Sequence, residues 1–276
     1  MTFIITIVSL ISERFLHWSH LRHWSWFGTY QRWLSVRSGK WPAYLKLIVC
    51  ILPLLIVVGV INSLLTGLFY DSLKIIFGIV VVMYCLGPNN LWVQVYACIG
   101  ALNQEDPNVA IEKVKSAFGV ATGENSQAFH QAFTRVIFVK AYRRVFAVLF
   151  WYVILGPVGA VLYRSLTLCT KDTALGVAQL AKQAQRILDW VPVRLFTFLF
   201  ALGGHFTEVI NIWKKSFKQG LEGNDKLLSD CGVAALDVMH ENRLPEEGSA
   251  EKDALALLDR VFIISLVLLS ISLSLA

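Results

Sequence analysis

The sequence predicts an all-α polytopic membrane protein with four to five transmembrane or half-spanning helices and cytoplasmic helical loops. Composition is the first observation: 56% of the 276 residues are hydrophobic and only 16% are charged, against about 25% charged in soluble domains. The second is a set of apolar runs that approach the ~20 residues needed to cross a bilayer core. The third is that the polar segments between these runs show helical periodicity.

One membrane domain is expected over residues 1–276. Its first part, 1–101, holds N-terminal spans and a basic interfacial loop, and 102–144 is a cytoplasmic helical loop. A kinked span with amphipathic and re-entrant helices follows in 145–205. A polar helical segment and the C-terminal span complete the chain in 206–276.

The central span is Val145–Tyr163, a run of uncharged residues between Arg144 and Arg164. Its length matches a hydrocarbon core of roughly 30 Å, and the flanking arginines can reach the headgroups. Pro157 removes a backbone donor, so we expect a kinked helix. Gly156 and Gly159 are expected to let another helix approach closely.

Other spans are expected at Leu47–Tyr70, at residues 73–98 and at Val261–Ala276. Leu195–Gly204 is apolar but only about half the length of a full crossing, which favours a re-entrant or half-spanning segment. The apolar run at residues 2–11 predicts a short or tilted helix. Basic residues concentrate before the first long span and in the 102–144 loop, which indicates that both lie on the cytoplasmic side.

Local signals place helices in the polar segments. Asn108 is expected to cap a helix that Gly119 ends, and a second helix should cover Ser126–Arg144. In the amphipathic segment at 175–195, Pro192 is expected to end or bend the helix. Residues 245–251 are expected to form an acidic link before the last span.

No metal, nucleotide or nucleic-acid site is expected. His17, His20 and His23 drift about 60° around a helix at each step, so they do not share one face. The glycine-bearing stretch at 119–124 lacks the Gly-Lys-Ser/Thr signature of a phosphate loop. The five cysteines show no metal spacing and are read as small buried hydrophobes. Lys and Arg are not gathered into one basic face interleaved with aromatic residues, so the net charge of +6 indicates attraction to anionic lipid.

Three stretches of the sequence resemble known families. Leu188-Asp-Trp-Val-Pro-Val-Arg-Leu195 and Ala201-Leu-Gly-Gly-His205 resemble the AmpE family of bacterial inner-membrane proteins. LFWYVILGPVGAVLYR at 149–164 is also similar to the CobD/CbiB family of adenosylcobinamide-phosphate synthases. The first resemblance implies a regulatory protein linked to β-lactamase induction and cell-wall stress. The second implies an ATP-dependent enzyme that joins aminopropanol to a corrinoid carboxylate.

Departures from the synthase pattern argue against catalysis. After the Tyr-Arg pair the synthase pattern reads Asn-Thr-Leu-Asp, whereas this chain has Thr167-Leu-Cys-Thr170. Their acidic pair is replaced by Gln185-Arg186, and their Gly-Arg-Asp-Thr by Gly119-Val-Ala-Thr122. Phosphate and magnesium chemistry needs carboxylates to hold the metal. Loss of several acidic positions therefore predicts a retained fold without the reaction, and no cofactor.

The sequence therefore predicts a non-enzymatic, multi-pass regulatory or sensory protein of the bacterial inner membrane. Tyr163, Arg164, Asp189, Arg194 and His205 are expected to line a polar ligand site, with the two arginines as anion partners. The expected partners are the lipid bilayer, an anionic small molecule and a second copy of the chain, and nucleic acid is not expected. The alternatives are a synthase of the CobD/CbiB type and a small-molecule transporter.

Overall fold

A computed structural model describes most of the chain, and all regular structure in the described part is helical. This confirms the all-α class. The described residues are 5–6, 24–39, 41–67, 71–87, 90–104, 107–120, 126–171, 175–217, 220–240 and 249–274. The histidines at 17, 20 and 23, and nearly all of the N-terminal apolar run, lie outside them.

The helices are numbered in chain order. They are α1 (Ser25–Arg37), α2 (Ala43–Gly67), α3 (Asp71–Leu86), α4 (Leu91–Gln104), α5 (Pro107–Phe118), α6 (Ser126–Ala141), α7 (Ala147–Leu155), α8 (Pro157–Cys169), α9 (Ala178–Gly203), α10 (Phe206–Ser216), α11 (Asn224–His240) and α12 (Ser249–Ser274). A π-helical segment, Tyr142–Phe146, joins α6 to α7, and a short 3-10 helix, Leu221–Gly223, precedes α11.

Three helical stretches among the described residues are long and apolar enough to cross a membrane. They are Ala43–Leu65 in α2, Ser72–Leu102 over α3 and α4, and Ser249–Ser272 in α12. The protein is therefore a multi-pass membrane protein. The last span begins earlier than expected, because Ser249–Glu251 is its first turn and not part of a link.

The expected kinked span at Val145–Tyr163 is two short helices instead of one bent helix. Gly156 has φ 66° and ψ −153°, a backbone conformation that is essentially restricted to glycine. Pro157 is the first residue of α8, where its missing N–H costs no helical hydrogen bond. The proline therefore starts a helix. Neither α7 nor α8 alone spans a core of roughly 30 Å at about 1.5 Å per residue.

The chain turns sharply at this break. A Cβ atom on Gly159, in the first turn of α8, would meet the backbone carbonyl oxygen of Trp151 in α7. In a continuous helix two residues eight positions apart are separated by about 12 Å of rise. Gly159 therefore allows the two neighbouring helices to fold onto each other, and its close contact is with its own preceding helix.

Contacts divide the chain into two compact units. The first comprises residues 1–88 and 144–189, and the second comprises 89–143 and 190–276. The π-helical segment contributes to both units, and so does α9, which continues through Pro192. Pro192 thus does not end the helix, contrary to one of the two outcomes expected for it.

In the first unit, α8 packs antiparallel to α2. A Cβ on Gly59 of α2 would lie 3.8 Å from Val158 at the start of α8. The Sγ atom of Cys50, earlier in α2, lies 3.9 Å from that of Cys169 at the end of α8. Residue numbers therefore rise along one helix as they fall along the other. Helix α1 is attached beside them, since the Tyr30 hydroxyl donates a hydrogen bond to the Val49 carbonyl at 2.9 Å.

In the second unit, α6 packs against α11 and α12 around an aromatic core. The Phe138 and Phe200 rings lie 5.2 Å apart, and Phe196 contacts Phe200 at 4.8 Å. Edge and tilted ring contacts of this kind stabilise a core beyond their buried area. Gly232 in α11 allows the close approach, because a Cβ there would meet the Phe138 ring. Phe129, Phe133 and Ile137 of α6 are buried in this core.

The helix ends in the polar segments agree with expectation only in part. Helix α5 begins at Pro107, so Asn108 lies in its first turn and not at the capping position. Gly119, with φ 69°, follows the last residue of α5 as predicted. Asn90 caps α4, since its side-chain oxygen accepts a hydrogen bond from the Trp92 amide at 2.9 Å. An asparagine in this position satisfies an amide that the helix itself leaves without a partner.

A substitution at the break tests the two-helix description. Gly156→Ala forces an L-residue into a glycine-only conformation, so we expect a loss of about 1–3 kcal/mol in the free energy of unfolding. Gly100→Ala is the control, because it lies within α4 with open space around a new Cβ and should leave stability unchanged or slightly raised. Thermal unfolding in detergent measures both. A Gly156→Ala protein as stable as the parent would contradict the break.

A partly buried hydrogen bond in the second unit gives another test. His130 Nδ1 lies 2.7 Å from a side-chain oxygen of Glu251, whose side chain is fully buried. His130→Leu removes that hydrogen-bond partner from a buried carboxyl group, so we expect a loss of about 1–3 kcal/mol. Asp225→Asn is the control, because the Arg143–Asp225 pair is exposed and should contribute less than about 1 kcal/mol. Equal losses in the two variants would contradict the account.

Candidate functional site

Tyr163 and Asp189 are brought together in the first unit. The Tyr163 hydroxyl donates a hydrogen bond to the Asp189 carboxylate at 2.9 Å, and the Gln185 amide donates to the same hydroxyl at 3.4 Å. All three side chains are buried. Hydrogen bonds to a carboxylate in a low-dielectric interior are stronger than neutral ones. The contact therefore joins α8 to α9 through a polar pair within the membrane protein.

The burial pattern of α9 explains why these polar residues point inward. Val177, Ala181, Gln185 and Asp189 are buried at four-residue intervals, which places them along one face of a helix. The opposite face carries exposed charged residues, Lys182 and Arg186, as well as the exposed Ile187. Polar side chains therefore lie on both faces of α9, and those on the packed face have protein partners, as buried polar groups in a membrane protein require.

Arg164 lies at the end of α3 in the first unit. A Cβ on Gly87 would come within 2.6 Å of the Arg164 guanidinium. The Arg144 guanidinium donates a hydrogen bond to the Gly87 carbonyl at 3.4 Å. Gly87, with φ 88°, follows the last residue of α3. Two guanidinium groups therefore meet at one glycine, next to the negative end of a helix dipole, where cations are favoured.

Arg144 reaches this position from the π-helical segment Tyr142–Phe146. A π-turn contains one more residue than an α-turn, so it shifts the side chains that follow it around the helix axis. Its neighbour Arg143 forms an ion pair with Asp225 in the second unit. Sequence reasoning treated both arginines as flanks of a span and so missed Arg144. The signal was present, because Arg144 directly precedes the apolar run.

Arg194 links α9 to α10 within the second unit. It donates hydrogen bonds to the Trp190 carbonyl at 2.9 Å and to the Ser216 carbonyl at 3.3 Å. Its guanidinium also lies 4.2 Å from the centre of the Trp190 ring. Burial lowers the pKa of this guanidinium, because the charged form loses hydration. Arg194 thus holds the carboxyl end of α10 against α9.

His205 lies at the other end of the same helix. It is the residue before α10, and its amide donates to the Ala235 carbonyl at 3.3 Å. Its Nδ1 atom is buried without a hydrogen-bond partner among the described residues. Ser216 is eleven residues further on, so the two ends are separated by about 16 Å of rise. Arg194 and His205 therefore do not form one cluster, and the ligand-binding role of the five residues stays a prediction.

Comparison with protein families identifies the chain. A family model described as regulatory signalling modulator protein AmpE matches residues 1–272. The chain belongs to the AmpE family. No curated protein and no solved structure gives a match.

Membership of the AmpE family supports a regulatory membrane protein. The motif at 188–195, on which the resemblance rests, contains Asp189 and Arg194. In this AmpE protein Asp189 accepts a hydrogen bond from Tyr163, and Arg194 donates one to the Ser216 carbonyl. Within the described residues, no group of three or more His, Cys, Asp or Glu side chains is arranged to hold a metal ion.

The hydrogen bond between Tyr163 and Asp189 can be measured directly. Tyr163→Phe removes one donor to a buried carboxylate, so we expect a loss of about 1.5–3 kcal/mol in the free energy of unfolding. In the Asp189→Asn background the same change should cost at least about 1 kcal/mol less. Tyr30→Phe is the control, because its partner is a neutral carbonyl. Fully additive effects of Tyr163→Phe and Asp189→Asn would show that the pair does not interact.

Proposed function

We propose that this AmpE-family protein senses an anionic small molecule and transmits an envelope signal from the bacterial inner membrane. The signal is linked to β-lactamase induction and cell-wall stress. The family match and the three apolar helices support a regulatory protein embedded in a membrane. The anionic ligand is the part of the proposal that the geometry of the first unit supports.

The observation that carries the proposal is the meeting of Arg144 and Arg164 at Gly87. Guanidinium groups present planar sets of donors that match carboxylate and phosphate oxygens. Neither side chain is fully exposed, so an anion bound there would be partly removed from water, and its attraction to the two charges would be strengthened. Gly87 has no side chain to block access to the two groups.

Ligand binding at this point would affect the rest of the first unit through α8. Arg164 is on α8, which packs against α2 and α3. A ligand that binds more tightly when the two arginines converge would favour the arrangement of α8 that brings them together. The next residue toward the N-terminus, Tyr163, is bonded to Asp189 on α9. A change in α8 would therefore also reach α9.

The proposal includes loss of the synthase reaction. Two positions where the synthase pattern is acidic hold neutral side chains with local partners. Thr170 donates a hydrogen bond to the Thr167 carbonyl at 2.8 Å, and Gln185 donates to the Tyr163 hydroxyl. A neutral group bonded to its own helix or to a tyrosine gives no anionic ligand for magnesium. These contacts support a structural role at the two positions where the synthase pattern has carboxylates.

The regulatory role is tested in cells. Arg164→Gln and Arg144→Gln each remove a charge from the proposed anion site, so we expect β-lactamase induction by a β-lactam to change as far as it does on deletion of the gene. Arg143→Gln is the matched control, since Arg143 adjoins Arg144 but pairs with an exposed Asp225. Immunoblots of membrane fractions must show equal amounts of each variant. Unchanged induction on deletion would contradict the role in induction.

The loss of catalysis is tested with the purified protein. We expect no amide product when it is mixed with ATP, magnesium, aminopropanol phosphate and cobyric acid. Mass spectrometry of the corrinoid fraction detects the product. Its formation in proportion to protein concentration would show that the synthase activity is retained.

A further inference from the structure

Two thiols from distant parts of the chain meet inside the first unit. The Sγ atoms of Cys50 and Cys169 lie 3.9 Å apart, and both residues are fully buried. They are separated by 119 positions in the sequence, so only the packing of α2 on α8 brings them together. The candidate ligand site uses neither residue.

A third residue makes the two thiols unequal. The Gln31 side chain, itself buried in α1, donates a hydrogen bond to the Cys169 sulfur at 3.5 Å. A donor directed at sulfur stabilises the thiolate relative to the thiol. The thiolate is the form that attacks an oxidant. Cys169 is therefore better prepared than Cys50 to react first.

We infer that Cys50 and Cys169 form a reversible disulfide when the protein meets hydrogen peroxide or a similarly small neutral hydroperoxide. The Cys169 thiolate attacks one peroxide oxygen and the O–O bond breaks. The departing oxygen takes up the proton that the Cys169 thiol released, which gives a sulfenic acid on Cys169 and one water, or one alcohol from an organic hydroperoxide. The Cys50 thiol then attacks the Cys169 sulfur, an S–S bond forms and the sulfenic oxygen leaves as water. The two thiols lose two protons and two electrons, which reduce hydrogen peroxide to two waters.

The geometry permits the bond with a small movement. A disulfide needs the sulfurs at about 2.05 Å, so they must approach by roughly 2 Å, which rotation of the two short side chains together with a slight shift of the helices can supply. The antiparallel register of α2 and α8 is held at its other end by Gly59 against Val158. Burial excludes large or charged reagents, which is why the oxidant is small and neutral.

The bond would act on the candidate ligand site. Cys169 is the last residue of α8, five positions beyond Arg164. A covalent link to α2 would restrict movement of α8 relative to α2. The disulfide would therefore hold Arg164 in one position, so that the cellular redox state would act on the same helix as the ligand. The chemistry of the thiol pair does not depend on the proposed anion site.

The test uses the full chain in detergent or lipid nanodiscs. The reduced protein is treated with hydrogen peroxide, remaining thiols are blocked with N-ethylmaleimide in denaturant, and unreduced peptides are mapped by mass spectrometry. We expect a Cys50–Cys169 cross-linked peptide that dithiothreitol removes. Cys85→Ser is the matched control, because Cys85 is buried in the same unit, and this variant should still form the link. Recovery of Cys50 and Cys169 as maleimide adducts after peroxide treatment would overturn the inference.

Two further variants test the order of the steps. In Cys50→Ala the sulfenic acid on Cys169 has no thiol to react with, so dimedone added together with denaturant after the peroxide treatment should label Cys169. In Gln31→Leu the oxidation should be slower by about fivefold, the factor that corresponds to loss of one hydrogen bond of roughly 1 kcal/mol. Cys231 is an internal standard for an unreactive thiol, because burial, with a contribution from Asp230, raises its pKa to about 12. Labelling of Cys231 in place of Cys169 would overturn the assignment.

Discussion

Helix α8 packs against α2, α3 and α7, and the polar contacts of the first unit depend on where this packing places it. Gly156 ends α7 and Pro157 begins α8, so the direction of α8 is set by one residue in a conformation that only glycine tolerates. Gly159 then permits the first turn of α8 to lie against α7. The glycines and the proline of this motif thus determine where the last two turns of α8 lie.

Those last turns carry side chains in three directions. Tyr163 points to Asp189 on α9, Arg164 to Gly87 after α3, and Cys169 to Cys50 on α2. A helix presents successive residues at about 100° intervals, so one short helix can contact three partners at once. Because the three contacts share α8, a displacement of this helix would alter all of them.

Buried polar side chains make specific contacts in both units. In α9 the buried Gln185 and Asp189 contact the Tyr163 hydroxyl. In the second unit Arg194 is a buried cation that donates hydrogen bonds to two backbone carbonyls. Gln185, Asp189 and Arg194 each have a hydrogen-bond partner on a neighbouring turn or helix, which offsets the cost of burying a polar group. Specific polar contacts, together with close packing at glycines, therefore hold the helices in register.

Composition and hydropathy were sufficient to predict the fold class, the first long span and the C-terminal span, because these depend on residue type alone. The break at Gly156 could not be predicted, since a glycine followed by proline is compatible with a kink or with a new helix. The choice between them depends on tertiary packing. The meeting of Arg144 with Gly87, and of Cys50 with Cys169, depends on the paths of helices far apart in sequence. The motif residues Tyr163 and Asp189 were identified, but their mutual contact became visible only in the folded chain.

The free energy of unfolding of a Gly159→Ala variant distinguishes two separate helices from one continuous kinked helix at residues 145–163. The two arrangements predict changes of opposite sign in this free energy. If α8 turns back on α7, the new Cβ meets the Trp151 carbonyl oxygen, which has little freedom to move. The account then predicts a loss of about 1–3 kcal/mol, the usual cost of overpacking. In a continuous kinked helix no such contact exists, and alanine would be favoured over glycine by roughly 0.5–1 kcal/mol. A Gly159→Ala protein more stable than the parent would contradict the account.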